Sequence, residues 1–258
     1  MKRIGIDIGS TNAKLALLDE KGVVLHLLAQ ETGFSSLEAC NSLLGRLGEF
    51  GIDVSECRIA STGYGRDIVK NAERRITEIS CHAKGAARIF NRSDFLLIDV
   101  GGQDTKVISV RRGEVEDFAM NDKCSAGTGR FLDVMAKIFG LDVGSLVELA
   151  SKGRGTSVGI SSLCTVFAES EVISLIGRAV PKEEIAYAIV YSIAQKVASQ
   201  AARISADDSG VFLTGGMCEN AFFVEMLSEC LKKRVVTDPK ARYAGCIGAA
   251  MFLEAPMN

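Results

Sequence analysis

The chain has 258 residues, 47% of them hydrophobic and 24% charged, with a formal net charge of −2. That length and balance describe a soluble globular protein with enough core for two lobes. The near-neutral charge, with no basic block, excludes nucleic acid as an implied partner, and no run reaches the roughly 18 apolar residues of a membrane span.

The opening MKRIGIDIGS (1–10) is too short an apolar run for a signal peptide and holds Asp7 inside it, so a cytoplasmic location is expected. IDIGSTNAKLALL (6–18) reads as an apolar strand, a tight glycine turn and a second strand, and KGVVLHLLA (21–29) as a third. A helix over 34–48, a strand near 57–61 and a helix over 80–90 follow. The pattern then restarts. IDVGGQDTKVISV (98–110) aligns with 6–18 without a gap, placing Asp99 on Asp7, Gly101 on Gly9 and Lys106 on Lys14, and RGEVEDFAM (112–120) supplies the third strand. Helices are expected near 125–139, 145–151, 165–177, 182–204, 219–232 and 241–253, with Pro181 suited to a helix start and a strand near 210–214. Strands alternating with helices argue for an α/β sheet protein. The repeat argues for two related halves with a cleft between packed lobes.

The two glycine turns carry the strongest chemical signal. Backbone N–H groups at such a turn can hold phosphate oxygens, and Gly9, Gly101 and Gly102 let the backbone come close. Ser10, Thr11, Asn12, Gln103 and Asp104 add polar side chains there, and Lys14 offsets phosphate charge. Asp7 and Asp99 would sit near a hydrated Mg²⁺, a hard cation that takes few carboxylates and keeps its waters. GSTNAK is not a P-loop, because it lacks the second glycine and the Gly-Lys-Ser/Thr ending, and no G-x-G-x-x-G fingerprint is present. In VFLTGGMCEN (211–220) a strand runs into Gly215 and Gly216 and then a helix, a place for an adenine ring, with Glu219 and Asn220 just beyond. The last helix, AGCIGAAMFL (244–253), has small residues on one face, which permits close packing at a hinge.

Eight cysteines in a reducing compartment are not a disulfide framework, and without a C-x-x-C pair neither a zinc finger nor a thioredoxin motif fits. Cys40, Cys57, Cys81, Cys218, Cys230 and Cys246 lie in apolar or helical contexts as small hydrophobes. Cys124 in NDKCSAGTGRF (121–131) and Cys164 in LCTVFAESEV (163–172) differ, since each precedes a helix. They are either incidental loop residues or ligands. Two cysteines cannot complete an iron–sulfur cluster, which usually takes four, but a symmetric pair of chains doubles two to four, and helix N-termini favour bound thiolates.

The paired hairpins, the TGG segment and the small-residue helix resemble the actin-like, ribonuclease H-like ATPase fold shared by actin, Hsp70 chaperones and sugar kinases. Together with TEISCHAKGA (77–86) and the two cysteine motifs, the whole chain resembles the ATPase family of 2-hydroxyacyl-CoA dehydratase activators and benzoyl-CoA reductase ATPase subunits. The resemblance implies lobe I over 1–92 and 244–258, and lobe II over 93–243. It implies ATP/ADP with Mg²⁺ in the cleft. It also implies a homodimer with one [4Fe–4S] cluster on its two-fold axis, held by Cys124 and Cys164 of each chain. ATP-driven closure would then couple to delivery of a low-potential electron, loaded by a ferredoxin or flavodoxin, to a dehydratase or reductase partner. In hydrolysis Asp7 and Asp99 would place metal and water, and Gln103 or Asp104 would orient the attack. Glu78 stands either near that water or as a helix-capping carboxylate, and His82 is structural. A cluster-free amino-sugar kinase of the same fold, or an actin-like or chaperone-like binding module, are the competing readings; iron content separates them.

Overall fold

The structure, a computed structural model, describes residues 1–160, 164–204 and 210–254. The chain divides into two compact units. The first is Met1–Asp94 with Val110–Glu116 and Asp238–Asn258, and the second is Phe95–Ser109 with Asp117–Thr237.

The first unit opens with β1 (Arg3–Ile8), β2 (Asn12–Leu18) and β3 (Val24–Glu31). Helix α1 (Ser36–Gly48) starts at Ser35, whose side chain accepts from the Glu38 backbone N–H at 3.2 Å. Strand β4 (Arg58–Thr62), the two-residue β5 (Arg74–Arg75) and α2 (Glu78–Phe90) follow. The sheet order is β3-β2-β1-β4-β5, with β1 antiparallel to β2 and parallel to β4. Every residue of β1 is buried, as a central strand covered on both faces requires. One face packs Ile4, Ile6, Ile8, Leu15 and Leu17 against Leu43 and Leu47 of α1.

After α2 the plan repeats: β6 (Phe95–Val100), β7 (Thr105–Arg111), β8 (Glu114–Asn121), then α3 (Gly129–Ile138), α4 (Val143–Ser151), α5 (Thr165–Gly177), α6 (Lys182–Ala201), β9 (Gly210–Gly215), α7 (Ala221–Leu231) and β10 (Val235–Val236). The order of this sheet is β10-β9-β6-β7-β8, and β9 runs parallel to β6 as β4 does to β1. The two sheets therefore share one topology, with β6 and β9 standing where β1 and β4 stand.

Helix α8 (Ala244–Met251) returns to the first unit, and a 3₁₀ turn over Ala241–Tyr243 leads into it. Residues 244–250 are all buried. The small side chains serve contact of backbone on backbone: a Cβ on Gly5 would run into the Cys246 carbonyl, one on Gly85 into that of Ala244, and one on Gly248 into that of Cys81. Several bounds differ from the sequence reading: the helices expected over 182–204, 219–232 and 241–253 are Lys182–Ala201, Ala221–Leu231 and Ala244–Met251. Helix α3 begins at Gly129 rather than near 125, because Gly127 sits at φ +91° and Thr128 is extended. The two-residue strands β5 and β10 were unread, being too short to show a period.

Candidate functional site

Asp7 lies near the end of β1, 6% exposed. The turn after it closes with the Gly9 N–H donating to the Asn12 carbonyl at 3.1 Å. Thr32 braces that turn, its hydroxyl donating to the Gly9 carbonyl at 2.7 Å and its N–H to that of Thr11 at 2.9 Å. Ser10, Asn12 and Lys14 are half-buried and Thr11 is exposed. The Asp7 carboxylate lies between two glycines: a Cβ on Gly63 would come within 2.7 Å of Oδ1, and one on Gly245 within 2.6 Å of Oδ2. His82 Nε2 is 4.0 Å from Oδ2.

The second turn copies the first in its backbone. The Gly101 N–H donates to the Asp104 carbonyl at 2.9 Å. Its side chains are arranged otherwise. Lys106 Nζ, 2% exposed by residue, lies 2.7 Å from Asp104 Oδ2 and 3.6 Å from Asp99 Oδ2. The Thr214 hydroxyl donates to Asp99 Oδ1 at 2.9 Å. Asp99 and Asp104 thus share a buried cation, and Gln103 beside them is exposed.

Gly215 ends β9 at φ +86°, pressed against the Val100 carbonyl. Sequence reasoning found this Thr-Gly pair and missed its twin. Thr62 and Gly63 stand at the equivalent place, with Thr62 opposite Asp7 in the strand register as Thr214 is opposite Asp99. Gly63 has φ +92° and would meet the Ile8 carbonyl. The signal was present as STGYG (61–65) beside VFLTGG. Gly216 has open space where a Cβ would be, Glu219 is exposed, and Asn220 caps α7, accepting from the Phe223 N–H at 3.1 Å. Glu78 is the first residue of α2, where the helix start favours a carboxylate; the cap itself is Thr77, which accepts from the Ser80 N–H.

The cysteines separate into two groups. Cys40, Cys81, Cys218 and Cys246 are buried. Burial pushes the Cys81 thiol up to about 12, against the effect of the neighbouring Thr62 hydroxyl, and raises those of Cys246 and Cys40 as well. Such thiols resist becoming the thiolates that bind metal. Cys124 is half-buried and Cys164 is exposed, and the residues that follow them meet: Ser125 Oγ and Thr165 Oγ1 are 2.8 Å apart. Cys164 is the N-cap of α5; Leu163 of its motif lies outside the described residues. Asn121 Nδ2 closes the Cys124 loop by donating to the carbonyls of Cys124 and Ala126 at 2.9 and 3.1 Å. Beyond the loop, the N–H groups of Gly129 and Arg130 donate to the carbonyls of Gly101 and Gly102 at 2.9 and 2.7 Å. The cysteine loop is therefore hydrogen-bonded at one end to the glycine turn of β6–β7 and near its start to the head of α5. No described helix is long and apolar enough to cross a membrane.

The chain has relatives among known proteins. The chain is 42% identical over 253 residues to the (R)-2-hydroxyglutaryl-CoA dehydratase activating ATPase of Acidaminococcus fermentans, covering 96% of this chain and 95% of that one. It is 29% identical to a subunit of the benzoyl-CoA reductase of Thauera aromatica, covering 96% and 91%. A solved structure of the activator of the 2-hydroxyisocaproyl-CoA dehydratase from Clostridium difficile, with bound ADPNP, superposes with a TM-score of 0.90 at 36% identity, covering 98% of this chain and 94% of that one. The fold is thus the actin-like ATPase fold expected from the paired hairpins. Residues 4–252 match the family model itself, and the chain belongs to the BadF/BadG/BcrA/BcrD ATPase family.

Proposed function

We propose that this ATPase is an activator of a 2-hydroxyacyl-CoA dehydratase, using ATP to drive a low-potential electron into that partner. The observation that carries the reading is the continuous path from glycine turn to cysteines. The turn at Gly101–Gly102, the proposed phosphate holder, is bonded to the head of α3; the Cys124 loop leads into that helix, and Ser125 reaches Thr165 beside Cys164. A change of nucleotide at the turn therefore acts on the cysteine loop through a few backbone hydrogen bonds. Identity favours a dehydratase over a reductase partner, at 42% against 29%.

The residues present fit the groups this requires. Among the described residues no three metal-ligating side chains gather in one chain; on this reading Cys124 and Cys164 would supply half of a four-thiolate set. The other half comes from a second copy. Beside Cys164, α5 exposes Val166, Phe167, Ile173 and Ile176, the first two by 66% and 68%, an apolar face of the kind that protein interfaces cover. A [4Fe–4S] cluster bound there supplies a one-electron couple at low potential. A ferredoxin or flavodoxin is a donor of matching chemistry, and the cytoplasm a compartment that keeps these thiols reduced.

For a nucleotide, backbone N–H groups at each glycine turn would hold phosphate oxygens, Lys14 would offset their charge, and the segment from Gly215 to Asn220 would take adenosine. Asp7, in no lysine ion pair among the described residues and flanked by glycines, would place hydrated Mg²⁺. Asp99 and Asp104 fix Lys106 and so the shape of the second turn, and the exposed Gln103, with Glu78, is left to orient water. The test is reduction of the partner by the reduced activator with ATP and with a non-hydrolysable analogue. Reduction with ATP alone is expected, and equal reduction with the analogue overturns the reading. In parallel, Cys124→Ser is expected to lose its iron; a variant with full iron content would remove Cys124 from the ligand set.

A further inference from the structure

The two cysteines face different sources of positive charge. Cys164 is the N-cap of a thirteen-residue helix, so the partial charge of the helix start falls on it. Cys124 has no such support. Helix α3 starts only at Gly129, after a left-handed glycine and an extended threonine, and the dipole effect fades within a turn. Lys196, from the middle of α6, stands in its place: Nζ lies 3.9 Å from Cys124 Sγ.

The lysine is seated rather than draped. Its stem crosses Gly127, where a Cβ would lie 3.2 Å from Lys196 Cδ and 3.3 Å from Cγ, so a larger residue in the loop would displace it. The Thr105 hydroxyl donates to the Gly127 carbonyl at 2.6 Å. One turn along α6, Gln200 Nε2 donates to the carbonyls of Thr105 and Ala119, each at 3.0 Å. Loop, hairpin and helix are thereby locked in one geometry around the contact.

We propose that Lys196 is a positioning residue that sets the reduction potential of the cluster held through Cys124. The inference rests on the reading of Cys124 and Cys164 as ligands. Reduction adds one electron and so one negative charge to a cluster already anionic with its thiolates. A fixed ammonium at a ligand sulfur stabilises the reduced form more than the oxidised one, as do hydrogen bonds to cluster sulfurs. Lys196 therefore raises the potential, and across a symmetric pair of chains it does so twice. It brings the cluster within reach of a one-electron donor protein, and its placement on α6 makes that help depend on the helix keeping its distance from the loop.

The experiment measures iron, acid-labile sulfide and midpoint potential, by redox titration followed by electron paramagnetic resonance, in anaerobically purified wild type, K196M, K196Q and K196R. K196M is expected to keep its iron and to be harder to reduce by tenfold or more, where each tenfold is about 59 mV for a one-electron couple. K196R, which keeps the charge, is expected to stay near wild type. A wild-type potential in K196M, or equal shifts in K196M and K196R, overturns the proposal. If K196M holds no cluster, K196Q against K196R decides in the same way. Loss of iron in all three with the fold retained makes Lys196 a structural part of the loop and also overturns it. Wild type without iron after reconstitution fails at the earlier step, the assignment of the cysteines.

Discussion

The hairpins β1–β2 and β6–β7 are the same backbone used in two ways. Each ends a buried strand in Asp-x-Gly, closes its turn with the glycine N–H, and sets a threonine in register beside the aspartate and a left-handed glycine against the following carbonyl. Yet Asp99 shares a buried lysine with Asp104 and accepts from Thr214, while Asp7 has Asn12 in place of the second aspartate and glycines on either side. The duplication preserves the backbone of the turn and the glycine positions that shape it. The side chains have diverged, so that one copy holds a buried lysine between two carboxylates and the other sets its carboxylate between two glycines and 4.0 Å from His82. A repeat in sequence is thus a guide to shape and a poor guide to the division of chemical labour.

The largest effect that sharpens this contrast is Lys106→Met. It strands two buried carboxylates and is expected to cost about 3–5 kcal/mol in urea denaturation. Lys14→Met, at the matching position, is expected to cost under about 1 kcal/mol, since Lys14 is half-buried and in no ion pair among the described residues. Comparable costs for the two would erase the asymmetry. Next is Asp7→Asn, expected to slow ATP hydrolysis by about a hundred- to a thousandfold, the scale of losing one preorganised electrostatic contact, with thermal stability nearly unchanged. If Asp99→Asn instead shows loss of turnover at full stability, the roles are reversed. The smallest is the threonine pair. Thr214→Val removes a hydrogen bond to a charged group and is expected to cost about 1.5–3 kcal/mol, against under about 1 for Thr62→Val, both read from melting curves.

Much of this was legible before the structure. The gapless alignment of 6–18 with 98–110 gave the paired hairpins, because a tight turn between buried strands fixes glycine and apolar positions alike. The helices expected over 34–48 and 165–177 are found as α1 (Ser36–Gly48) and α5 (Thr165–Gly177). The Thr-Gly twin at 62–63 escaped because β4 follows a different run of loop and helix from β9, so no alignment of the openings reaches it. The ion network was hidden since Lys14 and Lys106 look equivalent in sequence, and only burial and the change from Asn12 to Asp104 separate them. Lys196 was beyond reach: it is one of several polar residues on a half-buried helix, and its tie to Cys124 spans seventy-two residues of chain. The dipole argument for Cys124 was correspondingly misplaced, as it assumed a helix beginning at 125.

The central claim is that two chains of this ATPase complete one cluster through Cys124 and Cys164. The most direct test is iron and acid-labile sulfide per chain, measured with the mass in solution, on protein purified without oxygen. About two of each per chain are expected in a particle of two chains, with the iron lost in Cys164→Ser. A chain that binds no iron after reconstitution, or a single chain that binds a whole cluster, would contradict it.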